Sequence, residues 1–267
     1  MGKIGLYFII IFFANTIGAV SGMGGGVIIK PLLDAFSGDR LATIGFYSSL
    51  AVFVMAIVST AKNMSKPATK KLLDWTEVTC FAVGSLMGGS LGDFVFNAFR
   101  RWLLNEPLVN LIQIGVLVII LVISLIMSKP GKYEFGKIVR QLLFVVSGIF
   151  LGALSTFLGI GGGPINVALL IYVFSFSSKK AVLYSIVCIF FSQLMKLLVN
   201  LPFINGLGLS ISIVVTIMIA AILGGYTGAT ITNKISDRQV LIFYKLVVIF
   251  VIGLNIFNGM KLIMWLT

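Results

Sequence analysis

Two runs of three adjacent glycines carry the most chemical content in this chain. Gly22-x-Gly24-Gly25-Gly26 and Gly159-x-Gly161-Gly162-Gly163 each lie inside a long uncharged stretch. Glycine admits backbone angles closed to other residues, so each run can end one helix and begin another. A helix begun there leaves its first N–H groups without intrahelical partners, and its dipole places partial positive charge at the same end. Donors and dipole together make an anion site. The half-helices are expected at 27–34 and 164–171, with Pro164 in a first-turn position where its missing N–H costs nothing. Close helix packing alone needs small residues but not three in a row.

Side chains near the two runs add donors. Asn166 falls in the first turn after Gly163, within reach of a bound anion. Tyr47-Ser48 and Tyr184-Ser185 recur early in the helix after each glycine run, either as site walls or as interhelical hydrogen bonds. Gln193 lies two turns further along the second of these helices. Lys30, four residues past Gly26, either neutralises an anion or snorkels to the lipid surface. Lys196 and Lys245 sit near helix ends and are expected to snorkel. Asp34, Asp39 and Asp93 are expected to end helices at the interface, which leaves no central carboxylate for proton coupling. Ser155, Thr156, Asn15 and Thr16 are read as bonding back to helix carbonyls.

Other chemistries lack their parts. There is no histidine, so the commonest general base and metal ligand is missing. Cys80 and Cys188 both sit in apolar runs and offer no disulfide framework. No paired carboxylates occur at helical spacing, so acid–base and metal-assisted catalysis have no evident centre. The residues imply no cofactor and no enzyme.

The elements that must position these residues are membrane helices. Of 267 residues, 59% are hydrophobic and 10% charged, with a mean hydropathy of +1.12. Soluble domains carry about a quarter charged residues, and disorder requires high charge with little apolar content. The net charge of +12 marks cytoplasmic loops and anionic lipid rather than nucleic acid. Uncharged runs at 4–29, 41–61, 78–92 and 107–128 are of membrane length. Those at 141–178 and 197–233 are too long for one crossing, and 240–260 is broken only by Lys245. The first run shows no cleavage region, so it is expected to stay as structure.

The chain also repeats itself. Ser21–Gly26 aligns with Leu158–Gly163, and the same register pairs Leu32-Leu33 with Leu169-Leu170, Tyr47-Ser48 with Tyr184-Ser185 and Asn63 with Asn200. One position out of register, Gly88-Gly89-x-x-Gly92 pairs with Gly224-Gly225-x-x-Gly228, read as helix-packing surfaces. Two homologous halves are expected, 1–133 and 134–267, with a binding site near the midplane between them. Four plain crossings per half divide the loop cations 10 to 7 between the faces. A re-entrant glycine hairpin plus three crossings per half, with the halves inverted, divides them 12 to 5 and leaves Lys30, Lys196 and Lys245 at membrane depth. The inverted arrangement obeys the positive-inside rule better and puts both termini outside. The expected fold is therefore an all-α polytopic membrane protein with about eight hydrophobic segments.

Gly-x-Gly-Gly-Gly-x(4)-Pro-Leu-Leu at 22–33 and Gly-x-Gly-Gly-Gly-Pro-x(4)-Leu-Leu at 159–170 resemble the TauE/SafE sulfite exporter family. The likeness extends over the whole chain, although Ala168 stands where the first copy has Pro31. It implies a multi-pass transporter of the cytoplasmic membrane, associated with sulfite, sulfonates and related organosulfur anions. An anion held at glycine turns fits that substrate class, because a sulfonate or sulfite offers three oxygens to backbone donors. The expected binding residues are Gly24, Gly25, Gly26, Gly161, Gly162, Gly163 and Asn166, then Tyr47, Ser48, Tyr184, Ser185, Lys30 and Gln193. An anion channel built on the same turns is the alternative. The expected partners are the small anion and the lipid bilayer, with a homo-oligomer left open.

Overall fold

The computed structural model describes residues 2–160 and 163–266. Its elements are α1 (Gly2–Ser21), α2 (Gly26–Phe36), α3 (Leu41–Met64), α4 (Pro67–Lys70), α5 (Trp75–Leu103), α6 (Glu106–Ile126), α7 (Lys137–Leu158), α8 (Pro164–Phe174), α9 (Ser178–Asn200), α10 (Ile211–Lys234) and α11 (Asp237–Leu266). A 3-10 segment, Leu201–Leu207, follows α9, and no strand occurs among the described residues. Among the described residues eight helices are long and apolar enough to cross a bilayer, as the hydrophobic segments predict. The protein is an all-α, multi-pass membrane protein.

Local sequence sets the helix ends. The Asp74 carboxylate accepts from the N–H groups of Thr76 and Glu77, starting α5. Those donors, Glu77's first, hold its carboxyl below the usual range. Asn105 caps α6 in the same way, with Pro107 in the first turn. α7 ends at Gly159, whose φ of +67° suits a residue without Cβ.

Both glycine runs turn the chain back on itself. At about 30 Å, α1 is long enough to span, yet Lys3 near its start bonds Asp39 just past α2 at 2.8 Å. Tyr7 on α1 also bonds Asp39. The second hairpin closes likewise. Gly131, ahead of α7, donates its N–H to the Tyr172 carbonyl at 3.0 Å, and the Phe144 and Phe174 rings stack at 4.0 Å. Each helix pair therefore enters and leaves at one end.

Packing crosses between the first and second stretches of chain. The most extensive helix pairings are α5 with α7 and α1 with α10. Glycine makes both possible: a Cβ on Gly88 would run into the Ile149 carbonyl, and one on Gly224 would lie 2.7 Å from that of Phe12. Gly89 lies against Ser192 of α9 and Gly225 against Met55 of α3, with Cβ positions 2.8 and 2.9 Å from the facing carbonyls. Both Gly-Gly-x-x-Gly motifs are thus packing surfaces, as their small residues predict. Large apolar side chains such as Phe94, Leu142, Leu246 and Phe257 point outward, as lipid contact requires.

Candidate anion-binding cavity

The two glycine turns meet. Gly22 and Gly24 have φ of +72° and +75°, and α2 starts at Gly26. A Cβ on Gly26 would collide with the Ile160 carbonyl of the second turn and would lie 2.9 Å from the Ser48 hydroxyl. Ser185 donates to the Gly22 carbonyl at 2.5 Å. Gly161 and Gly162 lie outside the described residues. Gly163 is extended and leads into Pro164.

Beside the turns a cavity of about 590 Å³ opens toward the end of the bundle that carries Arg40, Arg100 and Arg101. Its inner wall includes Lys30, Gln113, Gly159 and Lys196. Lys30 and Lys196 are only 6% and 7% exposed. The Lys30 ammonium donates to Gln113 Oε1 at 2.6 Å and to the Leu158 carbonyl at 2.9 Å. Lys196 donates to the Thr156 carbonyl at 3.4 Å, and Gln113 Nε2 to that of Phe157 at 2.5 Å. These three side chains thus cover the last carbonyls of α7, of which that of Thr156 also accepts the capping Gly159 N–H at 3.1 Å, and which carry the negative end of its dipole. A Cβ on Gly159 would lie 3.7 Å from the Lys196 nitrogen and 3.8 Å from that of Lys30. Both ammonium groups therefore stand over one glycine.

Neither lysine belongs to any of the three ion pairs found among the described residues, Lys3–Asp39, Arg140–Glu77 and Lys180–Glu77. The carboxylates that act on them, Asp34 on Lys30 and Asp93 on Lys196, lie beyond ion-pair distance and offset the cost of burying each charge only in part.

The expected site residues divide sharply. Lys30 lines the cavity, which resolves its two readings in favour of the inside. Gly24, Gly25, Gly26, Asn166, Tyr47, Ser48, Tyr184, Ser185 and Gln193 are buried without lining it. Tyr47 and Tyr184 act between helices, accepting the Ser210 and Asp74 N–H groups at 3.0 Å each, and Tyr184 also donates to Glu77 at 2.8 Å. Replacing either tyrosine with phenylalanine should cost about 0.5–1.5 kcal/mol by removing a hydrogen bond between helices, readable as a lower thermal midpoint. Gln193 donates to Ser155 at 3.0 Å. Asn166, 1% exposed, has neither amide atom partnered among the described residues.

Three expectations fail. Asn15 does not bond back into its own helix but donates across to the Ala51 carbonyl of α3 at 3.3 Å. Lys196 does not snorkel, because the 3-10 segment after α9 helps wall the cavity and the side chain turns inward. Asp93 does not end a helix at the interface. It lies well inside α5, 2% exposed, accepts from Asn97 and Asn200 at 2.8 and 2.9 Å, and lines the cavity. The i, i+4 pair Asp93/Asn97 and the row Gln193, Lys196, Asn200 on α9 are polar stripes that helical spacing could have revealed.

At the other end of the bundle the core is filled. Arg140 donates to Glu77 at 2.5 Å, and the Lys180 ammonium lies 4.0 Å from the same carboxylate. Phe144, Phe174, Phe176 and Tyr184 pack together beneath them.

Comparison with known proteins agrees with this architecture. A curated relative, the probable membrane transporter protein YunE of Bacillus subtilis (strain 168), is 25% identical over 279 residues, covering 92% of this chain and 94% of that one. No solved structure matches the chain. The model of the sulfite exporter TauE/SafE family matches residues 7–256, and with that span, the eight apolar helices and the paired glycine turns, the chain belongs to this family of cell-membrane transporters.

Proposed function

We propose that the protein is a secondary transporter of small sulfur-containing anions such as sulfite and sulfonates, working by alternating access and leaving its solute chemically unchanged. The observation that carries this reading is the pair of buried lysines, neither of them in an ion pair, on the wall of a cavity open to one end. The anion sits over Gly159 between Lys30 and Lys196. The amides at the start of α2 add to the positive field from behind.

Two inverted halves, 1–133 and 134–267, account for the contacts better than eight independent crossings. The Tyr47–Ser210 and Tyr184–Asp74 bonds fall at equivalent repeat positions but at opposite ends. So do the packing of Gly88 on Ile149 and of Gly224 on Phe12. Cations cluster at the filled end, which makes that end cytoplasmic and the open cavity external. A carrier caught in one state has this asymmetry. The Arg140–Glu77 closure disfavours a continuous pore.

The test is counterflow in proteoliposomes. Internal unlabelled sulfite should transiently concentrate external labelled sulfite, and the flux should saturate. Flux that rises linearly without counterflow overturns the carrier reading in favour of a channel.

A further inference from the structure

A second, smaller cavity of about 220 Å³ lies between α2, α6 and α11, lined in part by Asp34, Asn110, Asn258 and Lys261. Two of its amide oxygens lack a donor or a cation among the described residues. Asn258 is 9% exposed, and its Nδ2 donates to the Pro31 carbonyl at 2.8 Å. That bond fixes which end of the amide is oxygen, and this Oδ1 is buried with no donor among the described residues. Asn110 Oδ1 is buried and unpartnered in the same way. Its amide nitrogen donates to the Asp34 carboxylate, and a half-turn of the amide, which exchanges nitrogen and oxygen, brings Oδ1 round to the carboxylate once a cation bridges the two.

We infer that Asp34, Asn110 and Asn258 bind a sodium ion that couples to anion transport. One carboxylate with two neutral amide oxygens is a hard, all-oxygen ligand set suited to a monovalent ion. No group of three histidine, cysteine, aspartate or glutamate side chains that could hold a metal occurs among the described residues, as a stronger divalent site would need. A proton on Asp34 would satisfy only one of the two orphan oxygens, whereas a cation satisfies both. Lys261, exposed at the rim, lies beyond ion-pair distance of Asp34 and leaves the carboxylate available.

The coupling follows from α2 itself. Asp34 lies one turn from Lys30 on the same helix, at i, i+4 spacing. Sodium at Asp34 cancels the carboxylate's hold on the Lys30 charge and leaves that charge to the anion. This second half rests on the anion reading above; sodium binding does not.

The experiment compares thermal unfolding of the purified full chain in sodium chloride and in choline chloride, at equal ionic strength and pH. Sodium should raise the midpoint by about 3–8 °C at saturation, and Asp34→Asn and Asn258→Ala should abolish the rise. If Asp34→Asn does not fold, Asn110→Ala carries the same comparison. Equal midpoints in the two salts overturn the site. So does a rise that survives in the variants, or one that follows pH in place of sodium. Sulfite affinity should then tighten at least about fivefold with sodium. Unchanged affinity overturns the coupling. Absent sulfite binding beside an intact sodium response overturns the anion reading, and the coupling with it, while the sodium site stands.

Discussion

Lys30→Met should weaken sulfite binding by about 100-fold or more while leaving thermal stability within about 1 kcal/mol of the parent protein. Loss of one partner from a buried, hydrogen-bonded charge pair costs about 2–5 kcal/mol of binding, which sets the size of the first effect. The second follows from the empty state. There the ammonium is a desolvated charge that donates to Gln113 Oε1 and one carbonyl, with the nearest carboxylate, Asp34, a full turn away, and an apolar replacement of similar volume is often neutral or stabilising. The variant strands Gln113 Oε1, which offsets part of that gain. Lys196→Met should act in the same direction. Lys245→Met, away from the cavity wall, should leave affinity unchanged. Isothermal titration with sulfite alongside a melting curve separates binding from folding. Full affinity in both Lys30→Met and Lys196→Met would remove the cavity from the mechanism.

Gly26→Leu should abolish the folded protein, with a cost of at least about 3 kcal/mol. A Cβ there meets the Ile160 carbonyl. That neighbour is backbone, so it cannot swing aside as a flexible side chain would. Relief requires the two glycine turns to separate, and with them α2 from the end of α7. Gly5→Leu, in the same hairpin but with open space around the added carbon, should change stability by less than about 0.5 kcal/mol and serves as the control. The yield of monodisperse protein after solubilisation reports the difference directly.

Most of the frame was legible in the sequence because bilayer physics leaves few options. Uncharged runs of membrane length gave the helices, and Gly22–Gly26 with its copy at 159–163 gave the turns. Gly88 and Gly224 announced close packing, since small residues in an apolar helix have little other use. The meeting of the two turns followed from the repeat. The site was less legible. Reading the glycine amides as the cavity lining assumed that what lies near the centre is open to solute, yet Gly24, Gly25 and Gly26 are packed against Asn15, Ile160 and neighbouring backbone. Lys196 was misread because distance from a helix end was used in place of the direction the side chain faces. Tyr47 and Tyr184 were rightly noticed as a repeated pair, but a repeat preserves structural bonds as readily as binding ones.

The crossing of helix pairs between the early and late parts of the chain bears on biosynthesis. The Thr16 and Thr227 hydroxyls, 3.0 Å apart and 211 residues apart in sequence, join α1 to α10. At about 5–20 residues per second, the ribosome needs roughly 10–40 s to go from one to the other. Throughout that interval α1 lacks its principal neighbour. Assembly of this transporter is thus a late event that waits for α10, and chains cut short before it present the insertion machinery with an unclosed bundle.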